Sequence, residues 1–108
     1  MMKKLLDKVT GLVGEELEEA NKNNPPLFHS MHEGYGVIAE EMLEVEDESS
    51  WLERNMRSLL MAIQRDDWEC VKDIALALKV TAINTACECI QVAAMSDKLI
   101  ETVDANRE

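Results

Sequence analysis

Apolar residues recur along this chain at the three- and four-residue intervals of an α-helix, and the pattern is interrupted at only a few places. Leu5, Val9, Leu12, Val13, Leu17 and Ala20 form a drifting stripe that predicts a first helix over Lys3–Lys22, weakened by Gly11 and Gly14. The run Asn21-Lys22-Asn23-Asn24-Pro25-Pro26 ends it, because turn formers lead there into prolines that hold their predecessors extended. Ser30 is the expected N-cap of a central helix, with Glu33 completing a Ser-x-x-Glu capping box. On that helix Met31, Tyr35, Ile38, Met42 and Val45 fall on one side. Gly34 and Gly36 each cost about 1 kcal/mol relative to Ala in its first turns, which predicts close packing against that stretch of backbone. The pattern predicts that this helix closes over Glu46–Ser50. A shorter third helix should then span Trp51–Gln64, capped by Ser49 or Ser50, with Trp51, Met56, Leu59, Leu60 and Ile63 as its apolar residues. Asp66 or Asp67 caps a long fourth helix from Trp68 to about Val103, and the tail, residues 104–108, is expected to fray.

Composition agrees with a purely helical reading. Two prolines, four glycines and seven methionines, with abundant Ala, Leu, Glu and Lys, define an all-α protein, and 108 residues make one domain, residues 1–108. That length is near the lower end of what a single core stabilises comfortably. Eleven Lys and Arg stand against 22 Asp and Glu, and a formal charge of −11 argues against nucleic acid as a partner. Nucleotides bridged by metal ions remain compatible with it. Cys70, Cys87 and Cys89 are odd in number and lie among apolar neighbours, so they form no disulfide framework and suit a reducing cytoplasm. Three lysines and an aspartate within Met1–Gly14 leave no continuous apolar run, so no secretory leader is expected and the mature chain should begin near Met1.

The stretch Ile74–Met95 carries only two formal charges, Lys79 and Glu88, and is long enough to be weighed as a membrane span. Lys79, Asn84, Glu88 and Gln91, with Thr and Cys at the centre, argue against that. A helix apolar all round is better buried on several sides, in a bundle or between subunits, so a dimer or larger assembly is expected.

Two sets of acids carry the candidate chemistry. Glu41, Glu44 and Glu48 line the flank of the central stripe together with Val37, while Glu33, Glu40 and Asp47 point away as solvated charge. Carboxylates so spaced repel by a few tenths of a kcal/mol per pair, and a hard divalent cation such as Mg²⁺ is the simplest group to offset it. A plain solvated acidic face is the alternative. Glu88 is different, because Cys70, Ile74, Ala77, Thr81, Val92, Met95 and Leu99 all fall within about 40° of it on the helix, with Asn84 and Gln91 beside it. An ionised carboxylate there is costly unless paired or bound to metal, and Lys79 lies on the far side. Glu88 is either a protonated or amide-paired acid fixing helix register, or part of a metal or substrate site where this helix meets Glu41 and Glu44. His29 and His32, at i, i+3 across an N-cap and without a cysteine cluster, make a poor zinc pair. They read as a surface histidine and a hydrogen-bonded packing residue. No glycine-rich phosphate loop is present, which excludes a P-loop mechanism.

The segments HSMHEGYGVIAEEMLE, from His29 to Glu44, and ECIQVAAM, from Glu88 to Met95, resemble the two site helices of the MazG-like all-alpha nucleoside triphosphate pyrophosphohydrolases, particularly their small phage and Gram-positive branch. The resemblance implies a four- to five-helix bundle, homodimeric or homotetrameric, holding Mg²⁺ or Mn²⁺. It further implies cleavage of a nucleoside triphosphate between the α and β phosphates, giving monophosphate and pyrophosphate. By motif, Glu41 and Glu44 match the Glu-x-x-Glu pair, and Glu88 with Gln91 stands in the place of Glu-x-x-Asp. Gln91 departs from that pattern, since an amide ligates through oxygen but brings no charge. The segment between the two motifs is also long for the compact members. In the residue-level reading, Mg²⁺ held by Glu41, Glu44 and Glu88 would neutralise phosphate oxygens and position water, with Glu44 as general base. Lys72, Lys79 and Lys98 are unassigned candidates for the phosphate tail, and Phe28, Tyr35, Trp51 and Trp68 are either base-stacking or core and interface residues. The competing reading, favoured by Gln91, is a non-catalytic helical oligomer that binds a nucleotide or a protein partner.

Overall fold

The computed structural model describes residues 2–107. They form three helices, α1 (Met2–Asn23), α2 (Met31–Gln64) and α3 (Trp68–Asn106), and no strand. The count is three rather than four to five because the expected break at Glu46–Ser50 does not occur: α2 runs through it without interruption. That stretch has acids and serines but no Gly or Pro, and their helix penalties are only tenths of a kcal/mol each. Val45, Glu48, Trp51 and Leu52 are all half-buried there, so packing carries the helix past its weak point. At the other end of the chain α3 continues through Asn106, into the tail expected to fray, and Glu108 lies outside the described residues.

Cap chemistry sets the boundaries that do exist. Ser30 Oγ accepts the Glu33 N–H at 3.0 Å. The Glu33 carboxylate reaches one residue beyond the cap, accepting the His29 N–H at 2.9 Å and lying 3.1 Å from His29 Nδ1. These bonds hold the Glu33 carboxyl below its ordinary range. Between α2 and α3 the chain reverses in a few residues, with Asp66 at φ 55° and the Asp67 N–H returning to the Ala62 carbonyl at 3.0 Å. Asp67 is the cap of α3, its Oδ1 accepting the Cys70 N–H at 3.2 Å.

α2 and α3 form an antiparallel pair whose contact follows a repeat of four and three. On α2 the inward positions are Gly34, Ile38, Glu41, Val45, Glu48, Leu52, Asn55, Leu59 and Ala62, every one half-buried or buried. The inward series on α3 is Val71, Ile74, Leu78, Thr81, Thr85, Glu88, Val92, Met95, Leu99 and Thr102. Spacing of this kind is a coiled-coil seam, which keeps two long helices in contact over many turns. It rotates α2 away from the expected stripe: Met31, Tyr35 and Met42 are exposed, whereas Glu41 and Glu48 face α3. His32 is exposed as well and is not the packing residue expected of it. α1 lies on α3 and runs parallel to it, with Leu12 and Glu16 beside Cys87 and Gln91, and Ala20 beside Met95 and Lys98.

The core sits where all three helices meet. Phe28, in the loop after α1, is buried with Ala94 and Met95, and Val13, Leu17, Ala20, Val37, Ile38 and Leu99 close around them. The Phe28 N–H donates to Thr102 Oγ1 at 3.0 Å, and that hydroxyl donates to the Lys98 carbonyl at 2.8 Å. Gly34 allows α2 to come this close: a Cβ there would lie 2.8 Å from Leu99 Cδ1 and 3.0 Å from Phe28 Cδ2, whereas Gly36 faces open space. Substituting the two glycines by Ala therefore separates helix propensity from packing. Gly36→Ala should raise stability by about 1 kcal/mol. Gly34→Ala should lower it, since overpacking costs about 1–3 kcal/mol against the same gain. Urea unfolding of both variants measures the difference.

Candidate functional site

The α2–α3 seam carries acids at its middle turns, where the aliphatic layers on either side are interrupted. Glu41 and Glu48 occupy seam positions of α2, Glu88 occupies one on α3, and Glu44 flanks the seam from the exposed side. Carboxylate oxygens of Glu41, Glu44 and Glu88 all lie within 4.8 Å of one another. The antiparallel register that sets Gly34 against Leu99 near the end of the pair also sets Glu44 against Glu88 in its middle.

Electrostatically the cluster is unbalanced. Among the described residues the ion pairs are Lys22 with Glu19 and His29 with Glu33, both elsewhere. The Glu44 carboxyl is pushed above its ordinary value by a hydrogen bond shared with Glu88, by the negative charge of Glu88, and by partial loss of water. One turn further along α2, Glu48 Oε2 is buried and has no hydrogen-bond partner. A shared proton relieves part of this repulsion; a hard cation would relieve more. The donor set is all carboxylate oxygen, the chemistry that suits Mg²⁺ or Mn²⁺. An octahedral Mg²⁺ site spans about 4.2 Å between opposite ligands, a little less than the 4.8 Å within which the three oxygens lie.

Gln91 has a different neighbour. Its Nε2 donates to Glu16 of α1, so its amide nitrogen is engaged on the α1 side of α3. An acid at position 91 would confront the Glu16 carboxylate, and the amide replaces that repulsion with a hydrogen bond. Glu16 was not singled out from the sequence, although its place between Val13, Leu17 and Ala20 on the α1 stripe was a legible signal.

The remaining candidates are scattered. Lys72 and Lys79 are exposed, whereas Lys98 is buried beneath the loop that follows α1. Tyr35 and Trp68 are exposed, Trp51 is half-buried, and Phe28 is committed to the core. Cys70, Cys87 and Cys89 are free thiols. Among the described residues no helix is long and apolar enough to cross a membrane. No known protein family, curated protein or solved structure matches the chain.

The Glu44 shift has a definite sign. A carboxyl whose folded value lies above the unfolded one favours the folded state when protonated, so that stability is present at low pH and lost as pH rises through the raised value. Without divalent ions, the melting temperature should fall as pH rises from 4.5 into the range above it, and Glu44→Gln should flatten that slope. Mg²⁺ should flatten it in the wild type by displacing the proton. Glu33, whose value is lowered, acts oppositely and below 4.5, so the two windows are separable in thermal melts across pH.

Proposed function

We propose that this chain is a Mg²⁺-dependent nucleoside triphosphate pyrophosphohydrolase of the MazG-like kind, releasing pyrophosphate and a nucleoside monophosphate. The observation that carries this reading is the convergence of Glu41, Glu44 and Glu88 from two helices to within 4.8 Å of one another, with no ion pair to any of them among the described residues. These three residues would hold the ion, which would supply charge neutralisation for the phosphate oxygens and a polarised water. Glu44 is the group suited to take the proton of the attacking water, because it is the exposed member of the cluster and its affinity for a proton is raised. Gln91 contributes no charge, and its amide is already bonded to Glu16, so the site rests on three carboxylates. That same bond favours the second reading, a non-catalytic helical oligomer that binds a nucleotide or a protein partner.

The assay that separates the two is pyrophosphate release from a panel of ordinary and modified nucleoside triphosphates with Mg²⁺ or Mn²⁺. Turnover should require the metal and fall at least 100-fold in Glu41→Gln, about the loss expected when a charge-stabilising group is removed. No turnover with any substrate, together with a melting temperature unmoved by Mg²⁺, would leave only the oligomer.

Assembly into a homodimer or homotetramer is part of the proposal. The radius of gyration is 18.2 Å and the principal extents are 63 × 30 × 22 Å, whereas a compact domain of this length has a radius near 13 Å. The accessible surface is 8178 Å², roughly 2,000 Å² more than a compact monomer of the same mass exposes. A standard interface takes about 800 Å² from each partner. α1 is too short to cover the pair of long helices, and toward the α2–α3 turn Met56, Leu60 and Ile63 on α2 and Leu76, Val80 and Ile83 on α3 are about half exposed. Both sets are spaced four and three, which suits a second copy of the hairpin packing into a four-helix bundle. Such an assembly belongs in a reducing cytoplasm, where the three thiols stay free. Sedimentation should give at least a dimer, and Ile83→Glu should dissociate it and lower its melting temperature. A wild-type chain that sediments as a stable monomer would sink this part.

A further inference from the structure

We infer a second binding site, separate from the acid cluster, for a small organic anion carrying a single carboxylate or phosphate-ester group, with Lys98 as its cation. It is a cavity of about 290 Å³ beneath the loop between α1 and α2, two turns beyond Glu88 on α3. That size is near the bottom of the range of ligand pockets, roughly 300–1,000 Å³.

Lys98 is 5% exposed, which is rare for a lysine. Its Nζ lies 4.9 Å from the centroid of the Phe28 ring, and the side chain lines the cavity. The ring attracts the ammonium from one side but offers no lone pair to its three N–H donors. Among the described residues no carboxylate lies within 4.0 Å of Nζ and no acceptor is hydrogen-bonded to it. Glu33, on the cavity wall, feels its charge, and each Glu33 oxygen already meets His29. The stem of Lys98 is buried while Nζ keeps access to the cavity, so among the described residues its donors are free to meet an anion that enters.

The setting is rigid and selective. Thr102, wholly buried, ties the Phe28 backbone to the Lys98 carbonyl, so the loop that carries the ring is held to the turn that carries the cation. The rest of the wall is largely apolar, with Leu27, Val37 and Met95 around the cavity. One cation, a carboxylate on the wall and apolar sides select against polyphosphate and in favour of one anionic group, a carboxylate or a single phosphate ester, on an apolar body. The proposal does not rest on nucleotide hydrolysis and stands if that reading falls.

The test uses the full-length protein with benzoate, phenyl phosphate and the neutral benzyl alcohol, each at about 10 mM, enough to fill a millimolar site. Benzoate or phenyl phosphate should shift the ¹³C methyl signals of Met95 and Val37, leave those of Met56 and Met61 in place, and raise the melting temperature by several degrees. Benzyl alcohol should do neither. Which anion acts at lower concentration identifies the carboxylate or the phosphate ester as the native chemistry. Lys98→Met keeps the length without the charge and breaks no ion pair; it should fold and lose both responses, and Lys98→Arg should retain part of them. The inference is overturned by no shift with either anion, by an equal shift with benzyl alcohol, or by a response that survives in Lys98→Met. The wild-type methyl shifts decide the matter even if the variant does not fold.

Discussion

Phe28 is the group on which the rest of this molecule depends, because it lies in a loop and yet is packed on by residues of all three helices. Its ring fills the space that Gly34 leaves by lacking a Cβ, and its N–H is held by a hydroxyl that is itself bonded to α3. Moving the ring outward would open the α2–α3 pair at one end and lift α1 from its seat. Every seam position further along α2 and α3 inherits its register from that close approach, and so the meeting of Glu44 with Glu88 is set by a contact near the end of the pair.

A seam of this type is normally aliphatic, and this one is not. Acids at Glu41, Glu48 and Glu88 lower the stability of the pair, since half-buried like charges repel and Glu48 Oε2 lacks any partner. A purely structural pairing would be better served by Leu or Ile at those positions. The same substitution logic applies to Lys98, which could be Met without breaking an ion pair among the described residues. Acids in one place and a lysine in the other thus sit along the same pair of helices. The two are kept apart because Met95 and Val37 lie between the acid cluster and the lysine.

The small core explains the elongated shape. Few apolar side chains are fully buried, and the long hairpin extends well past the end of α1. Its outward rows, Met56, Leu60 and Ile63 on α2 and Leu76, Val80 and Ile83 on α3, stay about half exposed.

Much of this was legible in the chain. Helix class, the reversal after Asn21, and the Ser30 cap follow from local rules, because caps and prolines act over three or four residues. Glu88 was conspicuous for the same kind of reason: one carboxylate within an apolar arc stands out from its neighbours alone. The continuity of α2 through Glu46–Ser50 was not legible, since local propensity there is nearly neutral and contact with α3 decides it. Nor was the rotation that exposes Met31, Tyr35 and Met42, because polar Glu41, Glu48 and Asn55 at inward positions disguise the repeat of four and three as a wider stripe. Lys98 and the bond between Gln91 and Glu16 join residues seventy or more positions apart to Phe28 and α1. Periodicity shows which side of a helix a residue occupies, but which helix lies opposite is settled only when all three are packed around one ring.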